Sequence, residues 1–201
     1  ADLDVSGTLQ DKNGGVYIRG GRFEMCGGSI YANNTGSYDG RGVNIGVTGD
    51  VVLSTQGLSM GGLILSRTSG TGKAGDVAVY AKRLELTGGS YIDTRNSSSG
   101  SGGNIDISAS ESALFSGQLG WTYSGLYSRT TGNGKGGNIS VTTPELTVTE
   151  QGNISSRSLS TGQAGDVLLN VGRLSITSGG SITTDAFYSQ GGAWISPRPN
   201  Q

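Results

Sequence analysis

The stretch Gly102-Gly103-Asn104-Ile105 returns as Gly136-Gly137-Asn138-Ile139, and in variant form as Ala74-Gly75-Asp76-Val77 and Ala164-Gly165-Asp166-Val167. Weaker copies stand at Gly14-Gly15-Val16, Gly42-Val43 and Ala193-Trp194-Ile195. A fixed internal period constrains architecture before any single residue does. Counted on the closing apolar residues Val16, Val43, Val77, Ile105, Ile139, Val167 and Ile195, the spacings are 27, 34, 28, 34, 28 and 28. The alternation of long and short units makes a double unit of 62 residues. A shift by that length superposes Gln56 on Gln118, Lys73 on Lys135, Leu84 on Leu146 and Ile92 on Ile154.

Each unit contains three short runs with apolar residues at every second position. The first is Ile105-Asp106-Ile107 and its copies; the second is Leu84-Glu85-Leu86, matched by Phe23-Glu24-Met25, Leu146-Thr147-Val148 and Leu174-Ser175-Ile176. The third centres on Ile30, Ile64, Ile92, Leu126, Ile154 and Ile182, thirteen residues before the next closing position. Alternation over three to five residues between Gly, Ser and Asn reads as strand. No stretch keeps a helical period. The expected fold is therefore all-β: a right-handed, single-stranded parallel β-helix with three short strands per coil and about six to seven coils. At about 4.8 Å per coil the rod is about 30 Å long.

The whole chain, 1–201, reads as one β-helix domain. Residues 1–13 read as an N-terminal strand or cap, 14–195 as coils and 196–201 as a tail. Composition fits this reading, since a narrow solenoid buries one thin column per strand position and uses Gly at its corners; the chain has 38 Gly among 201 residues. Asp76, Asn104, Asn138 and Asp166 share one column before the first strand and are expected to form a structural corner ladder. The extra residues of the long units fall in Thr55 to Gly62 and Gly117 to Ser124, and these loops should project on one side, where repeat proteins place binding surfaces.

The pattern Gly-Xaa-Gly-Gly-Asn-Ile, then Leu-Xaa-Leu-Thr-Gly-Gly-Ser-Xaa-Ile, is carried by Ala74 to Gly103, Gly117 to Gly137 and Gln163 to Gly180. It resembles the repeat region of filamentous-haemagglutinin-like exoproteins, the large two-partner-secretion proteins of cyanobacteria and other Gram-negative bacteria. The resemblance covers nearly the whole chain and is weakest over the first 40 residues. It implies an exported, rod-like adhesin or surface fibre, located outside the cell or at the bacterial surface. The amino-terminal secretion domain of that family, with its Asn-Pro-Asn signature, is not among these residues. The chain opens on Ala1, so it is read as a processed product or an excised piece of shaft.

The sequence offers little to classical catalysis. With no His, no His-based triad or His metal site can be assembled. There is no phosphate loop and no calcium-binding nonapeptide, so no cofactor and no metal are expected. A net charge of −1 gives no general attraction to nucleic acid, and no apolar run is long enough for membrane insertion as a helix. Cys26 reads as a small buried or half-buried hydrophobe. The enzymatic alternative is a polysaccharide lyase or hydrolase on a β-helix face. Hydrolysis needs two carboxylates about 5–10 Å apart, and Asp76 and Asp166, in one column, are three coils apart.

One column is less bland. Arg67, Arg95, Arg129 and Arg157 stand ten residues before successive closing positions, facing outward. Four guanidinium groups at about 5 Å spacing repel unless screened or paired. They are expected either to stack flat on one another and on Tyr127, or to form a contact face for acidic groups, together with Trp121, Tyr123 and Tyr127. Those acidic groups would belong to an extracellular polysaccharide or to a neighbouring subunit. Candidate subunit-docking ends are Leu3, Val5 and Leu9 at the start, and Trp194 and Ile195 at the finish. Self-association into a head-to-tail homopolymer is the expected partnership, or packing against neighbouring repeats of a longer protein; a monomeric carbohydrate-binding module is the alternative.

Overall fold

The computed structural model describes residues 2–4 and 14–186, and these are all β-structure and turns with no helix. Every strand pairing but one is parallel and joins a coil to its neighbours. The chain is a parallel β-helix. One face is a seven-stranded sheet of Asp2–Asp4, Ser29–Tyr31, Leu63–Thr68, Tyr91–Asn96, Gly125–Thr130, Asn153–Ser158 and Ser181–Ala186, in that order. The rest of the wall is an eight-stranded sheet built from the first and second runs of each coil.

The register matches the repeat. Val16, Val43, Val77, Ile105, Ile139 and Val167 pair in sequence along one column. Ile30, Ile64, Ile92, Leu126, Ile154 and Ile182 pair along another. Both columns point inward, and Ile64, Val77, Ile92, Ile105, Leu126, Ile139 and Ile154 are fully buried. Where one inward residue shrinks, its neighbour grows. The coil with Ala113 carries Phe115, while the coils on either side pair Leu84 with Leu86 and Leu146 with Val148. Dense packing demands this trade, because neither a void nor an excess methylene is tolerated cheaply.

The expectation of three strands per coil needs one correction. In the first two described coils the first and second runs are separate, as Val16–Gly20 with Phe23–Cys26 and Val43–Val47 with Val51–Ser54. In the later coils they fuse into single bent strands, Val77–Thr87, Ile105–Ser116, Ile139–Thr149 and Val167–Ile176. The early corners hold Gly20-Gly21 and Thr48-Gly49, which favour a break; Ala81-Lys82-Arg83 and Ala109-Ser110-Glu111 carry no glycine, while the later fused strands take up Pro144 and Gly172 at the same corner. Ile105–Ser116 accommodates its extra residue as an irregularity between Ser108 and Ser112.

The interior also corrects the expectation of one thin buried column per strand position. In the seven-stranded sheet the next inward column is Ser66, Thr94, Ser128 and Ser156, all fully buried. Beyond it stand Asn34, Thr68, Asn96, Thr130 and Ser158. These last fasten the Ser/Gly-rich turn that follows each strand. Asn34 Nδ2 donates to the Tyr38 and Lys73 carbonyls, Thr68 Oγ1 to Gly72 O and Thr130 Oγ1 to Gly134 O. Asn96 Oδ1 accepts from Ser98 N. Buried hydroxyls and amides thus satisfy turn groups that would otherwise be orphaned.

The repeated motif divides its work by position. At the Asx position, Asp76 Oδ1 accepts from Asn104 N at 2.7 Å, Asn104 Oδ1 from Asn138 N at 3.0 Å and Asn138 Oδ1 from Asp166 N at 2.9 Å. The expected corner ladder is present, each side chain capping the next coil. The glycine before it is set by close approach. A Cβ on Gly103 would collide with Gly75 O, one on Gly137 with Gly103 O and one on Gly165 with Gly137 O. The position before that is less tight, the nearest atom to a Cβ lying at 3.2 Å for Gly136 and 2.7 Å for Gly102. That is why Ala stands there at 74 and 164 while the following glycine never varies among these copies.

Two expected docking positions, Val5 and Leu9, and the other two, Trp194 and Ile195, lie outside the described residues; Leu3 pairs with Ile30 through its backbone. Gly137→Ala should cost about 1–3 kcal/mol by forcing adjacent coils apart, whereas Gly136→Ala should cost less than about 1 kcal/mol. Urea midpoints of the two variants check this, and equal midpoints would contradict the assignment.

Candidate functional site

The seven-stranded sheet presents its outward residues as columns two residues apart. Arg67, Arg95, Arg129 and Arg157 pair rung to rung, so the four arginines form the expected ladder. The neighbouring outward column reads Tyr31, Leu65, Asp93, Tyr127, Ser155 and Thr183.

Asp93 decides what the ladder is. It faces outward but is fully buried, covered by the arginines of the coils on either side. Arg67 clasps Oδ2 with Nε at 3.1 Å and Nη2 at 3.0 Å. Arg129 clasps Oδ1 with Nε at 3.0 Å and Nη2 at 2.9 Å. One carboxylate is thus held in two guanidinium forks, each offering its Nε edge. Charge-assisted bonds of this kind are the strong ones, and their geometry is specific. Arg129 also lies over the Tyr127 ring, its Cζ 5.2 Å from the centroid. Arg157 stands 3.8 Å from Asp185, an ion pair on a more exposed part of the face.

Arg95 differs. It lies on the same rung as Asp93, and its Nε is buried with no hydrogen-bond partner. Among the described residues it makes no ion pair. It lines a cavity of about 310 Å³ with Asn33, Thr35, Arg67, Thr68, Ser69 and Ser97.

The second insertion folds into an antiparallel hairpin, Gln118–Leu119 against Thr122–Tyr123, whose turn at Gly120 has a φ of 57°. It closes over the short turn of the preceding coil. Leu119 sits where a Cβ on Gly89 would be, and Ser124 Oγ accepts from Gly89 N at 2.9 Å. The hairpin tip presents Trp121, 94% exposed. Its base is pinned by Tyr127, whose hydroxyl donates to Tyr123 O at 3.0 Å. Tyr91 meets Tyr127 edge-to-face at 5.7 Å. Tyr91, Trp121, Thr122, Tyr123, Tyr127 and Arg129 line an open cleft of about 180 Å³. The structure therefore brings Trp121, Tyr123 and Tyr127 together with Arg129, and leaves Arg95 and Arg157 outside that cleft. The first insertion carries Leu58 and Met60 exposed and contributes no aromatic side chain.

Sequence reasoning missed the Arg67–Asp93–Arg129 clamp. It treated the two outward columns separately, whereas the contact runs diagonally between them. The signal was present: a single acidic residue in a column flanked by arginines. Among the described residues, carboxylates of different columns influence one another at Asp106, whose carboxyl is pushed above its ordinary range by burial and then by the Asp76 charge, with Lys73 opposing. Asp76 itself is engaged by Lys73 Nζ at 2.7 Å and by Asn104 N. Among the described residues no group of three or more acidic or Cys side chains is arranged to hold a metal. Cys26 is half-buried, and its Sγ donates to Thr55 O at 3.3 Å.

No family model, curated protein or solved structure matches this chain.

Removing one fork from a buried carboxylate is costly, so Arg129→Gln should lower stability by about 1–3 kcal/mol. Arg95→Gln should change it by less than about 0.5 kcal/mol. Denaturant titration distinguishes them. Burial also pushes the Tyr127 phenol well above its ordinary value, Arg129 partly opposing. Folding then holds that proton more tightly than the unfolded chain does. Stability is intact below about pH 10 and declines above it, as the unfolded chain ionises first. Tyr127→Phe should flatten that alkaline decline in urea titrations between about pH 9 and 11.

Proposed function

We propose that this chain is an extracellular structural and adhesive β-solenoid: a shaft segment, or a head-to-tail stacking subunit, of a bacterial surface fibre. The observation that carries the reading is the unbroken in-register stack, in which backbone bonds and side-chain columns run from coil to coil in one direction. Such a lattice is stiff along its axis and extensible by adding like units. The resemblance to filamentous-haemagglutinin-like repeats supports the same role and an extracellular setting. On this reading the chain works by mechanical continuity and surface contact, with no catalytic step.

A second reading, a carbohydrate-binding module acting as a monomer, is favoured by the aromatic cleft beside Arg129. The two readings separate by assembly state. Electron microscopy of the purified protein, with sedimentation velocity over a concentration series, should show filaments with an axial repeat of about 30 Å. Uniform particles of 20.4 kDa at every concentration would overturn the stacking subunit.

A further inference from the structure

The outward face holds an unbalanced charge. Arg67, Arg95 and Arg129 oppose the single carboxylate of Asp93, a surplus of two positive charges (three minus one). The Asp93 clamp shows how this face takes a carboxylate: each engaged arginine offers its Nε–Nη2 edge to one oxygen. Arg95 makes no ion pair among the described residues; its Nε is buried, so it is the terminal nitrogens of its guanidinium that an incoming carboxylate would meet. The cavity beside it is polar: Thr68 is buried and bonded to its own turn and Ser97 Oγ donates to Thr68 O, while Ser69 is exposed on its lining.

We propose that Arg95 is the anchor of an acidic-saccharide site, taking the carboxylate of a uronic acid residue on its terminal guanidinium nitrogens. This rests on the adhesive part of the reading above and names its ligand class. A saccharide is favoured over a protein carboxylate because the same face carries the cleft of Tyr91, Trp121, Tyr123 and Tyr127, which offers ring faces for stacking. Tyr91 lines the cleft and Ser97 the cavity, six residues along one run. At about 3.3 Å per residue they are about 20 Å apart, the reach of a short oligosaccharide. One sugar packs against Trp121 and Tyr127 while a uronate further along meets Arg95. Arg67 and Arg129 stay with Asp93 and shape the surface between.

The test is calorimetric titration of the full chain with tetramers of galacturonic, glucuronic and mannuronic acid, their methyl esters, a neutral glucose tetramer and a sulfated tetrasaccharide. At least one uronate tetramer should bind, and its methyl ester at least about tenfold more weakly, one lost charged contact being worth about that factor. Arg95→Gln should weaken binding at least about tenfold with an unchanged melting temperature. Arg95→Lys should recover little, since an ammonium lacks the fork. Trp121→Ala should weaken uronate and ester alike. The proposal is overturned if no uronate binds, if ester and acid bind equally, if only the sulfated probe binds, or if Arg95→Gln leaves affinity unchanged. Loss of self-association in Arg95→Gln without loss of a saccharide would assign the fork to a second copy instead, and also overturns it. Filament formation is scored separately, so failure of this site and failure of the fibre are distinguishable.

Discussion

Backbone hydrogen bonding between successive coils, held in one register, is the constraint on which every other feature depends. Val77 N donates to Asn104 O, Ile105 N to Asn138 O and Ile139 N to Asp166 O, each at 2.8 Å. This spacing sets what each position can be. A position whose Cβ would point at the carbonyl of the coil before must be Gly, and Gly103, Gly137 and Gly165 are. A side chain that can reach the next coil's N–H must be a short acceptor, and Asp76, Asn104 and Asn138 are. A residue aimed at the axis must match its neighbours in volume. Since each column repeats one environment, a choice that suits one coil suits the next, and local and global preferences agree.

The same spacing creates the electrostatic problem that organises the surface. Four arginines in a column cannot stand unscreened at about 5 Å. One buried aspartate resolves it for two of them by drawing Arg67 and Arg129 from opposite sides. Arg157 turns to Asp185. Arg95, level with Asp93 on its own rung, makes no ion pair among the described residues and stands beside a polar cavity. An insertion in the next coil sets an aromatic cleft alongside, so the chemistry of the face follows from where one carboxylate and one hairpin interrupt a repetitive wall.

Much of the fold was legible because the period is strict. The closing column from Val16 to Val167 and the Ile column from Ile30 to Ile182 could be written from spacing alone, since an inward residue recurs where geometry demands it. The Asx ladder was legible for the same reason. The fusion of first and second runs was not, because whether Ala81 or Gly20-Gly21 turns a corner depends on pairing across coils. The buried Ser66, Thr94, Ser128 and Ser156 column was also hidden, as hydroxyl residues inside the wall look like those outside it. At the site, the arginine ladder and the nearness of Trp121, Tyr123 and Tyr127 were visible. The diagonal clamp on Asp93 was not, because column reasoning follows one axis and side chains as long as Arg cross between columns.

The most direct measurement of the in-register stack is pulsed electron–electron distance measurement between spin labels in one outward column, with Cys26→Ser in every sample. Tyr17, Asn44, Ala78, Asp106, Ser140 and Leu168 share that column on successive rungs. Labels at 44 and 168 lie four rungs apart and those at 17 and 168 five. The account predicts separations of about 19 Å and about 24 Å between backbone sites, an increment of about 4.8 Å for the added rung. Separations that fail to grow with rung number would contradict the stack, and with it the assignment of every column on this face and in this core.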